Sequence, residues 1–190
     1  MAVGILGLTM ALGFSGCQSE NQKNQDAYRK IGINSMAGDY DKAVKSFQKA
    51  LDTSLGKIGA EEIDICYYKA AAQFAKKDYD GAIETYTSLI DYDKENANAY
   101  YLRGSVYLDT DKKDKAFKDY KNAVKYAGRE YEIYEGIYEN LTNKGETEEA
   151  KNYLKKALDI KPKDGADYAE QGHVYYLLED YTQAKSSLDR

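Results

Sequence analysis

The chain has 190 residues, of which 43% are apolar and 31% charged, with a net charge of −5. That length suits one ordinary domain or a short repeat array, and charge of mixed sign with an acidic balance argues against a nucleic-acid binder, which needs a basic face. One Pro, no Trp and 20 Tyr fit a chain that is helical almost throughout, and no Val, Ile and Thr alternation bounded by turn signals marks a strand.

The chain opens on "MAVGILGLTMALGFSG", 16 residues without a charged side chain, and then turns abruptly to the polar "CQSENQKNQ". The apolar run is shorter than the roughly 20 residues a membrane span needs, and it lacks the polar face of a core helix. A greasy segment that closes on small residues reads as a secretion signal and is set aside before the fold is read. "GFSGC" resembles the lipobox of bacterial lipoproteins, with Ser15 and Gly16 ahead of the cysteine. The resemblance implies cleavage before Cys17 and acylation of Cys17, with about 0.8 kcal/mol of membrane affinity per buried CH₂. Residues 1–16 are then a signal peptide and 17–25 a polar, flexible tether. Phe14 stands where that family carries Leu, and no Lys or Arg lies near the start, which points to a start a few residues upstream. Cys66 is the other cysteine, so no disulfide framework is expected. Within "IDICYYKAAAQF" it reads as a small buried hydrophobe.

From residue 26 onward the chain repeats itself. "GDYDKAVKSFQKAL" returns as "KDYDGAIETYTSLI" and again as "EDYTQAKSSL". Ala43, Ala82, Ala116, Ala150 and Ala184 recur at spacings of 39, 34, 34 and 34. A tyrosine precedes each of them: Tyr28, Tyr67, Tyr100, Tyr134 and Tyr168. One turn after that tyrosine comes Gly32, Ala71, Gly104, Tyr138 or Gly172, and one turn after the alanine comes Phe47, Tyr86, Tyr120, Leu154 or Leu188. Bulky and small residues alternating at 3–4 spacing predict two helices per unit. The small residue lets the pair approach closely, and units must stack because none buries its apolar face alone.

This pattern resembles the tetratricopeptide repeat, whose period is 34 residues. Tyr stands where that family often has Trp, and Pro162 matches its closing proline. The resemblance implies an all-α fold, a right-handed α-solenoid of stacked antiparallel helix pairs over 26–190, with about five repeats and the last incomplete. Three departures carry expectations. The spacing of 39 calls for a longer loop or an extra turn between units one and two. Tyr138 calls for an opened or shifted crossing in unit four. The stop inside unit five suggests a piece of a longer protein.

The resemblance further implies that the first helices line a concave groove for peptides or partner proteins. The implied positions are Asp26, Arg29 and Ile33; Ile65, Tyr68 and Ala72; Asn98, Tyr101 and Ser105; Glu132, Glu135 and Glu139; Ala166, Ala169 and His173. The Lys, Asn and Arg set with which one branch of the family grips C-terminal carboxylates is missing. Glu132, Glu135 and Glu139 instead form an acidic block beside Tyr68 and Tyr101, suited to a basic or polar-aromatic segment. A solvated helix face accounts for the same three glutamates equally well.

His173 is the single histidine, which removes any two-His metal site, and none of "GxxxxGK[ST]", "GxSxG" or "HExxH" occurs. The expected protein is therefore a lipid-anchored bacterial scaffold or adaptor on the outer face of the cytoplasmic membrane or on the outer membrane. It would have no catalysis, cofactor or metal of its own. Two alternatives stand beside it: the accessory repeat region of a longer enzyme, and a surface receptor capturing peptides or glycans.

Overall fold

The structure is a computed structural model that describes residues 19–54, 56 and 58–190. The leader and Cys17 lie outside the described residues. Among the described residues, ten α-helices pair in chain order: α1 (Glu20–Ser35) with α2 (Tyr40–Thr53), α3 (Ala60–Ala75) with α4 (Tyr79–Tyr92), α5 (Ala97–Asp109) with α6 (Lys113–Tyr126), α7 (Tyr131–Asn143) with α8 (Thr147–Lys155), and α9 (Gly165–Leu177) with α10 (Tyr181–Leu188). A short 3₁₀ segment, Lys156–Asp159, extends α8. No strand occurs among the described residues. Each pair packs on the next, and three apolar clusters follow one another along the stack.

The recurring "DY" phrase is a helix start. Asp39, Asp78 and Asp180 each accept a hydrogen bond from the backbone N–H three residues on, at 3.1, 3.2 and 3.1 Å. Such caps satisfy donors that the first turn leaves without partners and are worth about 1 kcal/mol each. The preceding residue turns the chain between the two helices. Lys77, Asp111 and Glu179 adopt φ of 65°, 56° and 66° there, and Gly145 fills the same place in unit four at 81°.

The small positions do what close packing requires. A β-carbon on Gly32 would lie 2.5 Å from the Phe47 ring, one on Gly104 2.8 Å from Tyr120, and one on Gly172 2.9 Å from Leu188. Phe47 and Tyr120 are fully buried as a result. Burial pushes the Tyr120 phenol up to about 12. Inside the same hairpin, Arg103 donates two hydrogen bonds to Asp119 at 2.7 and 2.8 Å and a third to Thr87 of α4 at 2.9 Å.

The departures from the repeat have visible outcomes. The connection from α2 to α3 is longer than that from α4 to α5, and α1 and α3 run 16 residues where α5 and α7 run 13. In unit four, α8 holds only nine residues before the 3₁₀ segment, and Tyr138 directs its hydroxyl to the Leu177 carbonyl in the next unit at 3.4 Å. Helix α1 begins at Glu20 with Ser19 as its cap, inside the stretch read as a tether. Gln25 there is buried and donates to Glu62 at 2.7 Å. Cys66 is half-buried, and burial pushes its thiol up.

Candidate functional site

The first helices α1, α3, α5, α7 and α9 run side by side, and polar bridges join them across each junction. Gln22 donates to Glu61 at 2.6 Å. Arg29 of α1 pairs with Asp64 of α3, and the Tyr67 hydroxyl donates to Asn96 at 2.7 Å. Asn140 of α7 donates to the Ser105 hydroxyl of α5 at 2.8 Å. Arg129, just ahead of α7, pairs with Asp167 of α9. These bridges fix each first helix against the next and thereby shape the face they share.

Several residues singled out in the sequence are held by this framework. Tyr68 stacks on Phe47 with ring centroids 5.7 Å apart and 15° between planes, and the Arg29 guanidinium lies 5.5 Å over its ring. Tyr101 lies 6.4 Å from Tyr120 and presses against Gly136, where no β-carbon would fit. Ser105 donates to the Tyr101 carbonyl at 2.9 Å. Ile65 and Ala72 are fully buried against α2 and take no part in an open face. Asn98 is exposed.

The open chemistry gathers on α7 and α9. Glu132 and Glu139 are exposed, one turn before and after Glu135. Glu135 meets His173 across the α7–α9 junction, with Nδ1 2.8 Å from Oε1. The Glu135 side chain is 18% exposed and that of His173 52%. Burial pushes the Glu135 carboxyl up, the His173 contact pulls it back, and the charges of Glu170 and Glu132 push it further up. Glu170 thus belongs to the same acidic face. It lies one turn before His173 on α9, and that spacing is the signal that could have found it. Ala166 and Ala169 are exposed beside it. No group of three metal-ligating side chains occurs among the described residues, and no described helix is long and apolar enough to cross a membrane.

Residues 70–111 match a family model described as TPR repeat, and residues 97–129 and 139–164 match one described as tetratricopeptide repeat. No curated protein matches the chain. Among solved structures, the chain is similar to MamA from Desulfovibrio magneticus RS-1, at 16% identity and a TM-score of 0.56, covering 91% of this chain and 94% of that one. It is similar to a thermophilic TPR protein of Thermus thermophilus, at 17% identity and a TM-score of 0.56, covering 86% and 87%. It is also similar to PilF of Pseudomonas aeruginosa, at 18% identity and a TM-score of 0.56, covering 90% and 76%. The helix pairs, their glycine-to-aromatic crossings and the matched models agree: this chain carries tetratricopeptide repeats over residues 70–129 and 139–164.

Proposed function

We propose that this chain is a non-catalytic scaffold, tethered to the bacterial envelope through a lipidated Cys17, that holds a basic segment of a partner protein along its first helices. Stacked helix pairs present an extended surface rather than an enclosed reaction site. The observation that carries the reading is the convergence of Glu132, Glu135 and Glu170 at the α7–α9 junction, with Glu139 exposed one turn further along α7. Four carboxylates on adjacent helices sum to a field that draws a cationic segment and sets its register. Asn98 offers a polar contact on the neighbouring α5, and the clamped rings of Tyr68 and Tyr101 give apolar edges that need no reordering on binding.

The test is direct. A fluorescent peptide mixing Arg, Lys and aromatic residues is titrated against the wild type and against Glu132→Gln, Glu135→Gln and Glu139→Gln combined. The triple variant is expected to bind roughly tenfold more weakly and to lose most of its salt response. Equal affinity and equal salt response would mark the acidic face as solvated surface only.

A further inference from the structure

The chain also carries a basic stripe that the groove does not use. Lys42, Lys45 and Lys49 occupy i, i+3 and i+7 on α2 and are exposed. They form one wall of an open cleft whose floor is Tyr28 and Ile31 of α1. Lys49 lies 5.5 Å over the Tyr28 ring, and Ile31 is 41% exposed. Lys23 and Lys30 are exposed on α1. Like charges one turn apart destabilise a helix slightly, so the stripe brings no stability of its own. Some lysines elsewhere meet carboxylates: Lys94 pairs with Asp91, Lys113 with Glu146 and Lys144 with Asp109. The carboxylates near the stripe are engaged. Asp39 caps α2, Asp41 is held by Lys76, just after α3, at 2.9 Å, and Asp52 accepts a hydrogen bond from Gln48 at 2.9 Å.

The place of the stripe in the chain says what it faces. Only Gln18 and Ser19 separate Cys17 from α1. Three residue steps of extended chain reach about 10 Å, close to the screening length of about 8 Å at physiological salt. A protein anchored at Cys17 therefore brings its first hairpin within electrostatic range of the lipid headgroups. We propose that the Lys42, Lys45 and Lys49 face of the α1–α2 hairpin lies along an anionic bilayer surface, with Ile31 and Tyr28 at the headgroup level. The inference rests on the anchoring half of the reading above and is independent of the groove. Its consequence is orientation: the hairpin lies flat, and the rest of the stack is held at a fixed angle to the membrane.

The experiment uses the full, lipidated chain on vesicles of phosphatidylcholine alone or mixed with phosphatidylglycerol. Flotation reads anchoring, and acetylation of lysines followed by mass spectrometry reads orientation. The expected result is flotation with both vesicle types, with Lys42, Lys45 and Lys49 labelled several-fold more slowly on the anionic ones. Lys118 and Lys121, exposed on α6, serve as the unprotected reference, and protection should vanish at high salt. Flotation with equal labelling on both vesicle types overturns the basic surface and leaves anchoring intact; an acidic protein as the true occupant gives this same result. Flotation with anionic vesicles alone removes the anchor. It supports the surface if Lys42→Gln, Lys45→Gln and Lys49→Gln together weaken binding by about a hundredfold, the loss expected for three lysines near an anionic leaflet. Flotation with neither vesicle overturns both.

Discussion

The ring of Tyr120 lies directly over Gly104, so close that a β-carbon there would sit 2.8 Å from it. The same relation joins Gly32 to Phe47 and Gly172 to Leu188, which makes the glycine the point where the two helices of a unit cross. Gly104→Leu is expected to destabilise the array by about 1–3 kcal/mol through overpacking. Lys121→Leu, exposed on α6, should change it by no more than about 0.5 kcal/mol. Urea melts of the two variants decide it, and equal midpoints would contradict this crossing.

Arg103 and Asp119 form the best-shielded ion pair among the described residues, at 15% and 4% side-chain exposure. The hydrogen bonds to Asp119 hold the Arg103 guanidinium above its ordinary value. Asp119→Ala leaves that charge buried without its partner, at an expected cost of about 3–5 kcal/mol. Arg103→Met combined with Asp119→Leu should recover most of the loss, because an apolar pair of similar volume carries no desolvation cost. If the double variant is as unstable as the single one, the pair contributes more than the removal of a stranded charge.

Glu135 gives a pH dependence with a definite sign. Its carboxyl is held above the ordinary glutamate range in the folded protein, chiefly by burial. Between the ordinary value and the raised one, the folded chain therefore binds more protons than the unfolded chain, and stability falls as pH rises through that window. His173→Ala removes the contact that opposes burial and should move the carboxyl further up. Glu135→Gln should flatten the pH profile of stability in the same window. Carbon-13 titration of the Glu135 carboxyl in wild type and His173→Ala measures this, and a carboxyl indifferent to the histidine would refute the junction as described.

The lipid anchor is testable by itself. Cys17→Ala is expected to leave the protein uncleaved or released from membranes, because acyl chains supply the affinity. Partitioning between detergent and aqueous phases compares the two forms. If wild type and variant both enter the aqueous phase, Cys17 carries no lipid.

The sequence alone determined the helix pairs and their register, because both are local. Periodicity places Tyr100 and Gly104 on one face, the alanine of the second helix meets that face, and the capping aspartates start the second helices at Tyr40, Tyr79 and Tyr181. Relations between units were not legible, since they depend on how far each pair is rotated against the last. The resemblance made Tyr68 and Tyr101 open groove positions, yet neighbouring helices hold one face of each ring, Phe47 that of Tyr68 and Gly136 that of Tyr101. It made Glu132, Glu135 and Glu139 equivalent, yet His173 of the next unit singles out Glu135, and Glu170 joins the face from there. The polar stretch after Cys17 read as a tether because it has no hydrophobic periodicity; tertiary structure made it helical from Glu20, because Gln22 and Gln25 find carboxylate partners on α3. Local chemistry fixes the helix and its faces, and the stacking angle decides which side chains remain open to a partner.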